Sequence, residues 1–334
     1  MKIYTRYFAL ALLFLTSAIC HAALQNGKVQ VAITKGQSLL TNPQSIKEPI
    51  VKGKLFEQGY KVETMKDSTV ELCLSNGSTI LVNPETVIVI TTFRQVSSNL
   101  IVEGAYQKLD KEPSPSVVEI FVIKGKIIGE ARKLNPQSSF TIKSPAGVAR
   151  IRGTVFTVEY QKNDDDRTGN MEVSCVKGSV EVTLFGSDSG SVPVEPGRKL
   201  TVEKVETAVA VDPITNEVTF NKPITVEVGV ELKPMISGPV ISYSRLSPED
   251  IRGISNNLST GTSVPAKLTD DIQQIANNTP PIKPGEDNDT PPPPPSNNTG
   301  PATGPTNNPT DNINNMIQNI IEKETQKNPS PTGG

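Results

Sequence analysis

The sequence predicts an all-β body of many short antiparallel or solenoid-like strands, then short helices, then a disordered tail rich in proline and asparagine. Three observations predict it. From Gly27 to about Ser244, short alternating runs dominated by Val, Ile and Thr are broken by glycine turns, and period-two alternation is the mark of a half-buried strand. Residues 244–277 carry helix-start signals instead. Residues 278–312 are mostly Asn, Thr, Pro, Gly and Asp, with consecutive prolines at 291–295. Such a composition buries too little apolar surface to offset its ordering entropy.

Residues 1–22 read as a signal peptide. Lys2 and Arg6 form a basic front, Tyr7–Ile19 an apolar run, and Cys20-His21-Ala22 a cleavage site, with the cut expected after Ala22. The run is shorter than the roughly 20 residues of a spanning helix. An uncleaved anchor and a lipoprotein acylated at Cys20 are the alternatives, and Ile19 is bulky for the latter. The mature chain is expected to be exported, to the periplasm or the medium, touching the membrane only through this signal. Cleavage removes His21, the one histidine, and leaves 31 basic residues (33 less Lys2 and Arg6) against 35 acidic, net −4. With no basic block, no Trp and 4% aromatic residues, nucleic-acid binding and stacking platforms are disfavoured.

The β body is expected over residues 27–205. Lys28–Ile33 and Lys61–Thr64 alternate. Thr69–Leu74 and Thr79–Val82 flank Ser75-Asn76-Gly77-Ser78, read as a type I′ hairpin because Asn-Gly supplies two positive φ angles. Val117–Ile123, Lys124-Gly125-Lys126 and Ile127-Ile128 read as a similar hairpin, as do Met171–Val176, Lys177-Gly178 and Ser179–Thr183. A β extension follows over 206–243, with a turn at Asp212–Asn216 and a strand at Thr225–Val228.

Residues 244–277 form the helical segment. Ser247-Pro248-Glu249-Asp250 offers a serine cap, a first-turn proline and first-turn acids, and Thr269-Asp270-Asp271 starts a second helix running to about Asn277. A disordered linker spans 278–311 and a disordered end 328–334. Between them, residues 312–327 form an amphipathic helix with Ile313, Met316, Ile317, Ile320 and Ile321 on one stripe. It reads as a docking or self-association helix, or as one that frays for want of length.

Without histidine the mature chain has no Ser-His-Asp or Cys-His arrangement and no histidine-ligated zinc site. The glycine-rich nucleotide loops are absent. Asp164-Asp165-Asp166 lacks calcium-loop spacing and reads as a solvated hairpin loop. No cofactor is expected, and paired carboxylates remain possible, since a glycosidase needs only two acids. Cys73 and Cys175 are the two cysteines left. A bridge between them would close about 100 residues and contribute roughly 4–5 kcal/mol. Strand parity argues against it and suggests one partly exposed thiol and one buried thiol.

At residues 144–160 the buried parity switches. Ala149 and Ile151 are odd, whereas Phe156, Val158 and Tyr160 are even. A β-bulge at Gly153 explains the switch, since one extra residue exchanges the faces. Arg152 is then expected to hydrogen-bond carbonyls freed by the bulge and Thr154 a local amide. The alternative is that Arg150 and Arg152 hold an anion.

These residues resemble the FecR domain family, in the pattern Ile151-Arg152-Gly153-Thr154-Val155-Phe156 and its flanks. Ser139–Pro145 is similar to the strand entering the motif, Val176–Val182 to the glycine-centred pair after it, Pro196–Leu200 to the closing turn, and Val70–Val82 to an upstream element. The resemblance implies a bacterial, extracytoplasmic, all-β domain that binds a partner. It does not extend to the family's cytoplasmic anti-sigma segment, for which residues 1–22 leave no room. The expectation is therefore an exported, non-enzymatic interaction module with an envelope protein or polymer as partner. A self-assembling envelope or surface protein is the alternative, and a histidine-free polysaccharide hydrolase the remote one.

Overall fold

The computed structural model describes residues 24–163, 168–185, 190–206, 208–211, 218–220, 240–259 and 266–282. The signal peptide, the Asp164–Asp166 loop, the Asp212–Asn216 turn, the Thr225–Val228 strand and the 312–327 helix lie outside those residues, as does nearly all of the linker.

Strands come first. They are β1 (Leu24–Asn26), β2 (Val29–Lys35), β3 (Ser38–Thr41), β4 (Lys47–Pro49), β5 (Leu55–Phe56), β6 (Lys61–Thr64), β7 (Thr69–Leu74), β8 (Thr79–Val82) and β9 (Val87–Val96). Next come β10 (Ser116–Glu130), β11 (Ser139–Ser144), β12 (Gly147–Lys162), β13 (Thr168–Leu184), β14 (Ser191–Val194) and β15 (Arg198–Glu206). A small separate pair, β16 (Ala208–Val211) and β17 (Val218–Phe220), precedes β18 (Val240–Arg245), which returns to pair with β15. Two helices close the described chain, α1 (Pro248–Ser259) and α2 (Ala266–Asn278). The molecule is all-β with short helices after the sheet.

Three long strands organise it. The hairpins expected at Gly125 and Gly178 are not hairpins, because β10 and β13 run straight through them. Each long strand carries one positive-φ glycine: Gly125 in β10 (+88°), Gly153 in β12 (+58°) and Gly178 in β13 (+96°). At that glycine each strand changes neighbours. Before Gly125, β10 pairs with β9 and, in parallel, with β11; after it, with β8 and β12. The first half of β12 lies between β11 and the second half of β13, and its second half between β10 and the first half of β13. Glycine bends the chain without reversing it, so two hydrogen-bonded runs share their corner strands, as bulges allow when a strand passes between packed sheets.

The buried face switches at the same places. Val118, Ile120 and Val122 precede Ile127 in one core cluster, Ile151 precedes Phe156, and Cys175 precedes Val180. That cluster gathers side chains of both runs. A second cluster lies on the outer face, where Leu81, Ile128, Val155 and Val176 meet Ile251, Ile254, Leu258, Ile272 and Ala276 of the helices.

The Asn76-Gly77 turn also differs from expectation. Only Gly77 has positive φ (+88°), and Leu74 N–H donates to Ser78 O across a three-residue loop. Asn76 is held otherwise, its Oδ1 accepting Ser78 N–H and its Nδ2 donating to Ser116 Oγ. At α1, Asp250 N–H donates to Ser247 Oγ (3.0 Å) and Ser247 N–H to the Asp250 carboxylate (3.2 Å), a reciprocal cap. The second helix begins at Ala266, ahead of Thr269, because its apolar stripe of Leu268, Ile272 and Ala276 already starts at Leu268. Among the described residues no helix is long and apolar enough to cross a membrane.

Candidate functional site

The Gly153 bulge is double. Arg152 pairs with Ser179 and Val155 with Lys177, so Gly153 and Thr154 face Gly178 alone. Phe156 then pairs with Cys175, leaving Val176 as the extra residue of β13. The two insertions restore the register while turning both strands over. Ile151 and Phe156 enter the main core, where Phe156 meets Phe140 edge-on at 6.2 Å, and Val155 and Val176 face the helices.

The bend opens a cleft of about 700 Å³ between the bulge, residues 131–138 after β10, and the start of α2. Local contacts hold each wall. Ala131 N–H donates to Thr154 O (2.9 Å), which ties the segment to the bulge. Arg132 Nε donates to Gly77 O (3.1 Å) and lies 3.2 Å from Glu130 Oε1. Farther along, Ser138 Oγ and Asn135 N–H donate to Glu112 Oε2, and Ser116 Oγ to Glu112 Oε1. Burial nonetheless pushes the Glu112 carboxyl up, against those hydrogen bonds. Helix α2 contributes Lys267, Leu268 and Asp271.

The lining carries charges of both signs. Arg132 pairs with Glu130, and Lys177 lies 3.4 Å from Asp271. Lys133, Arg152 and Lys267 have no ion pair among the described residues. Two lining groups are buried with polar atoms unpaired: Thr154 (2% exposed) through Oγ1 and Glu130 (7%) through Oε2. Burial pushes the Glu130 carboxyl up, while Arg132 and Lys177 draw it down. Among the described residues no group of His, Cys, Asp and Glu gathers to hold a metal.

Several expected roles change. Arg152 is exposed on the cleft rim and does not bond the carbonyls of the bulge; the Thr154 carbonyl already takes the Ala131 amide. The Thr154 hydroxyl caps no amide. Arg150 stands opposite Glu181 and donates to Thr183 Oγ1 (3.3 Å), away from the cleft lining, so the two arginines do not converge. Cys73 and Cys175 are unbridged, on β7 and β13, which are not neighbours. Both are buried, so neither is the partly exposed thiol that strand parity suggested, and burial pushes the Cys175 thiol up to about 12. Ile313, Met316, Ile317, Ile320 and Ile321 lie outside the described residues.

Sequence reasoning missed Glu130, Lys133, Lys177 and Lys267. One signal was present: Lys177 precedes Gly178, whose place opposite the Arg-Gly-Thr segment puts Lys177 beside it.

Comparison with known proteins adds the following. The family model described as FecR protein matches residues 60–181. No curated protein matches the chain. Two crystal structures of a candidate anti-sigma factor from Parabacteroides distasonis ATCC 8503 are similar to it, at 17% identity with a TM-score of 0.30 and at 18% with 0.31. Each similarity covers 43% of this chain and 54% of the other, so the chain spans about half the length of the structures it matches.

Proposed function

We propose, from the match of residues 60–181 to the FecR family model, that the chain is an exported, non-enzymatic binding module of a bacterial envelope. It would dock an envelope protein or polymer in the cleft beside its signature bulge. The observation that carries this reading is the make-up of that cleft: an open space of about 700 Å³ lined by Lys133, Arg152 and Lys267, which have no ionic partner among the described residues. Ligand sites combine such concavity with a few placed polar groups. Export rests on the basic, apolar and small-residue pattern of residues 1–22. The stripe from Ile313 to Ile321 would supply a second contact.

Two measurements on the native host test the proposal. Fractionation with N-terminal sequencing should find the mature chain outside the cytoplasm, beginning at Ala23. Immobilised chain should retain an envelope component saturably, and deletion of residues 312–327 should weaken retention. A cytoplasmic, uncut chain or the absence of any retained component would contradict the proposal. Self-assembly by light scattering with no other component retained would replace it with a structural envelope protein.

A further inference from the structure

We infer that β1 seals the processing site: hydrolysis between Ala22 and Ala23 has to come before β1 joins the sheet, and a chain that folds first keeps residues 1–22. This rests on the export reading above and adds an order of events to it. In the step itself, water adds to the Ala22 carbonyl carbon and the C–N bond to Ala23 breaks. A carboxylate is left on Ala22 and an α-ammonium on Ala23.

The sheet takes up the chain directly after that bond. Leu24 pairs with Val96, Gln25 with Gln95 and Asn26 with Arg94 of β9. Each residue spans at most about 3.6 Å, so the scissile bond lies within about 7 Å of the first paired residue. The residues that follow are fixed from several sides. Gly27 N–H donates to Phe93 O (2.8 Å), and the alternation of an antiparallel ladder then makes Gln25 and Gln95 a hydrogen-bonded pair. Asn26 Nδ2 donates to Glu57 Oε2 (2.7 Å), and Asn26 Oδ1 accepts from Arg94 (2.9 Å). Lys28 pairs with Glu57, and its N–H donates to Ser75 Oγ (3.0 Å). Gly27 lies against Phe93, whose ring a Cβ would meet at 2.5 Å. A peptidase takes its substrate into a cleft as an extended strand, and β1 cannot enter one while β9 lies along its edge. Cutting the folded chain therefore requires β1 to open, and proteolysis of a closed segment follows the population of its open form.

The test purifies the full precursor, residues 1–334, folded in detergent, and treats it with a bacterial signal peptidase; N-terminal sequencing locates the cut. A second precursor carries about eight Gly and Ser residues between Ala23 and Leu24, a flexible spacer that leaves β1 paired. A third carries Gln25→Pro, which removes the β1 donor at the Gln95 pair. Because β1 is an edge strand paired with β9 alone, this variant should keep its β body, checked by circular dichroism. The parent is expected to be cut at least about tenfold more slowly than the spacer form, and Gln25→Pro faster than the parent. A parent cut as fast as the spacer form, or a Gln25→Pro rate equal to that of the parent, would overturn the inference and leave the export reading standing. If no precursor is cut between Ala22 and Ala23, both fall.

Discussion

Gly178 lies against Gly153 where β12 and β13 bend together: a Cβ on Gly178 would stand 2.5 Å from the Gly153 carbonyl oxygen and 2.9 Å from Thr154 Cα. A Cβ on Gly153 itself would be 3.6 Å from Lys133 Cα, an ordinary contact. Both glycines have positive φ, but only Gly178 is also closed in by backbone.

The two positions should therefore respond unequally to alanine. Gly153→Ala carries only left-handed backbone strain, about 1–2 kcal/mol. Gly178→Ala adds a backbone clash and should lose more than about 3 kcal/mol or fail to fold. Urea unfolding of both variants checks the order, and equal losses would contradict the double bulge.

Phe156 is the anchor beyond the bend. It is fully buried, meets Phe140 edge-on and covers Gly129 so closely that a Cβ there would overlap its ring. Phe156→Ala should lose about 3–5 kcal/mol, measured by the same unfolding curves. Gly129→Ala should be destabilising in the parent and tolerated better beside Phe156→Leu, which frees space over it.

Thr154 tests the cost of an unpaired buried hydroxyl. Its hydroxyl is buried and unpaired, and valine has nearly the same shape. Thr154→Val should leave stability unchanged or raise it by roughly 1 kcal/mol, since the change removes an unsatisfied group. A clear loss of stability by calorimetry would mean the hydroxyl has a partner within the fold.

Burial raises the Glu130 carboxyl above its ordinary range. The native state then binds that proton more tightly than the unfolded chain, so between the two pKa values Glu130 contributes less to stability as pH rises. Glu130→Gln should gain on the parent as pH climbs above the ordinary carboxylate range. Parallel pH profiles of the unfolding midpoint would contradict this.

Much of this was legible in the sequence, and the losses have physical causes. The change of parity between Ile151 and Phe156 was visible because charged residues mark the other face. The same change between Val122 and Ile127, and between Cys175 and Val180, was present too. There a glycine flanked by lysine looked like a hairpin tip, and a bend and a reversal use the same positive φ. Local pattern also cannot show which strand a bent strand meets next, so the pairing of β10 with β12 was invisible. The cleft was harder still. Glu130, Lys133 and Lys267 come together only through that pairing and through the packing of α2 on Val155 and Val176. Ser247 and Asp250, by contrast, form their cap within one turn, and their spacing alone announced it.

The most direct test of the central claim is amide hydrogen exchange on the full mature chain, with and without its retained envelope component. Protection should appear at residues 131–138, 152–155 and 267–271, the three walls of the cleft. Protection confined to other surfaces, with those walls unchanged, would contradict the account.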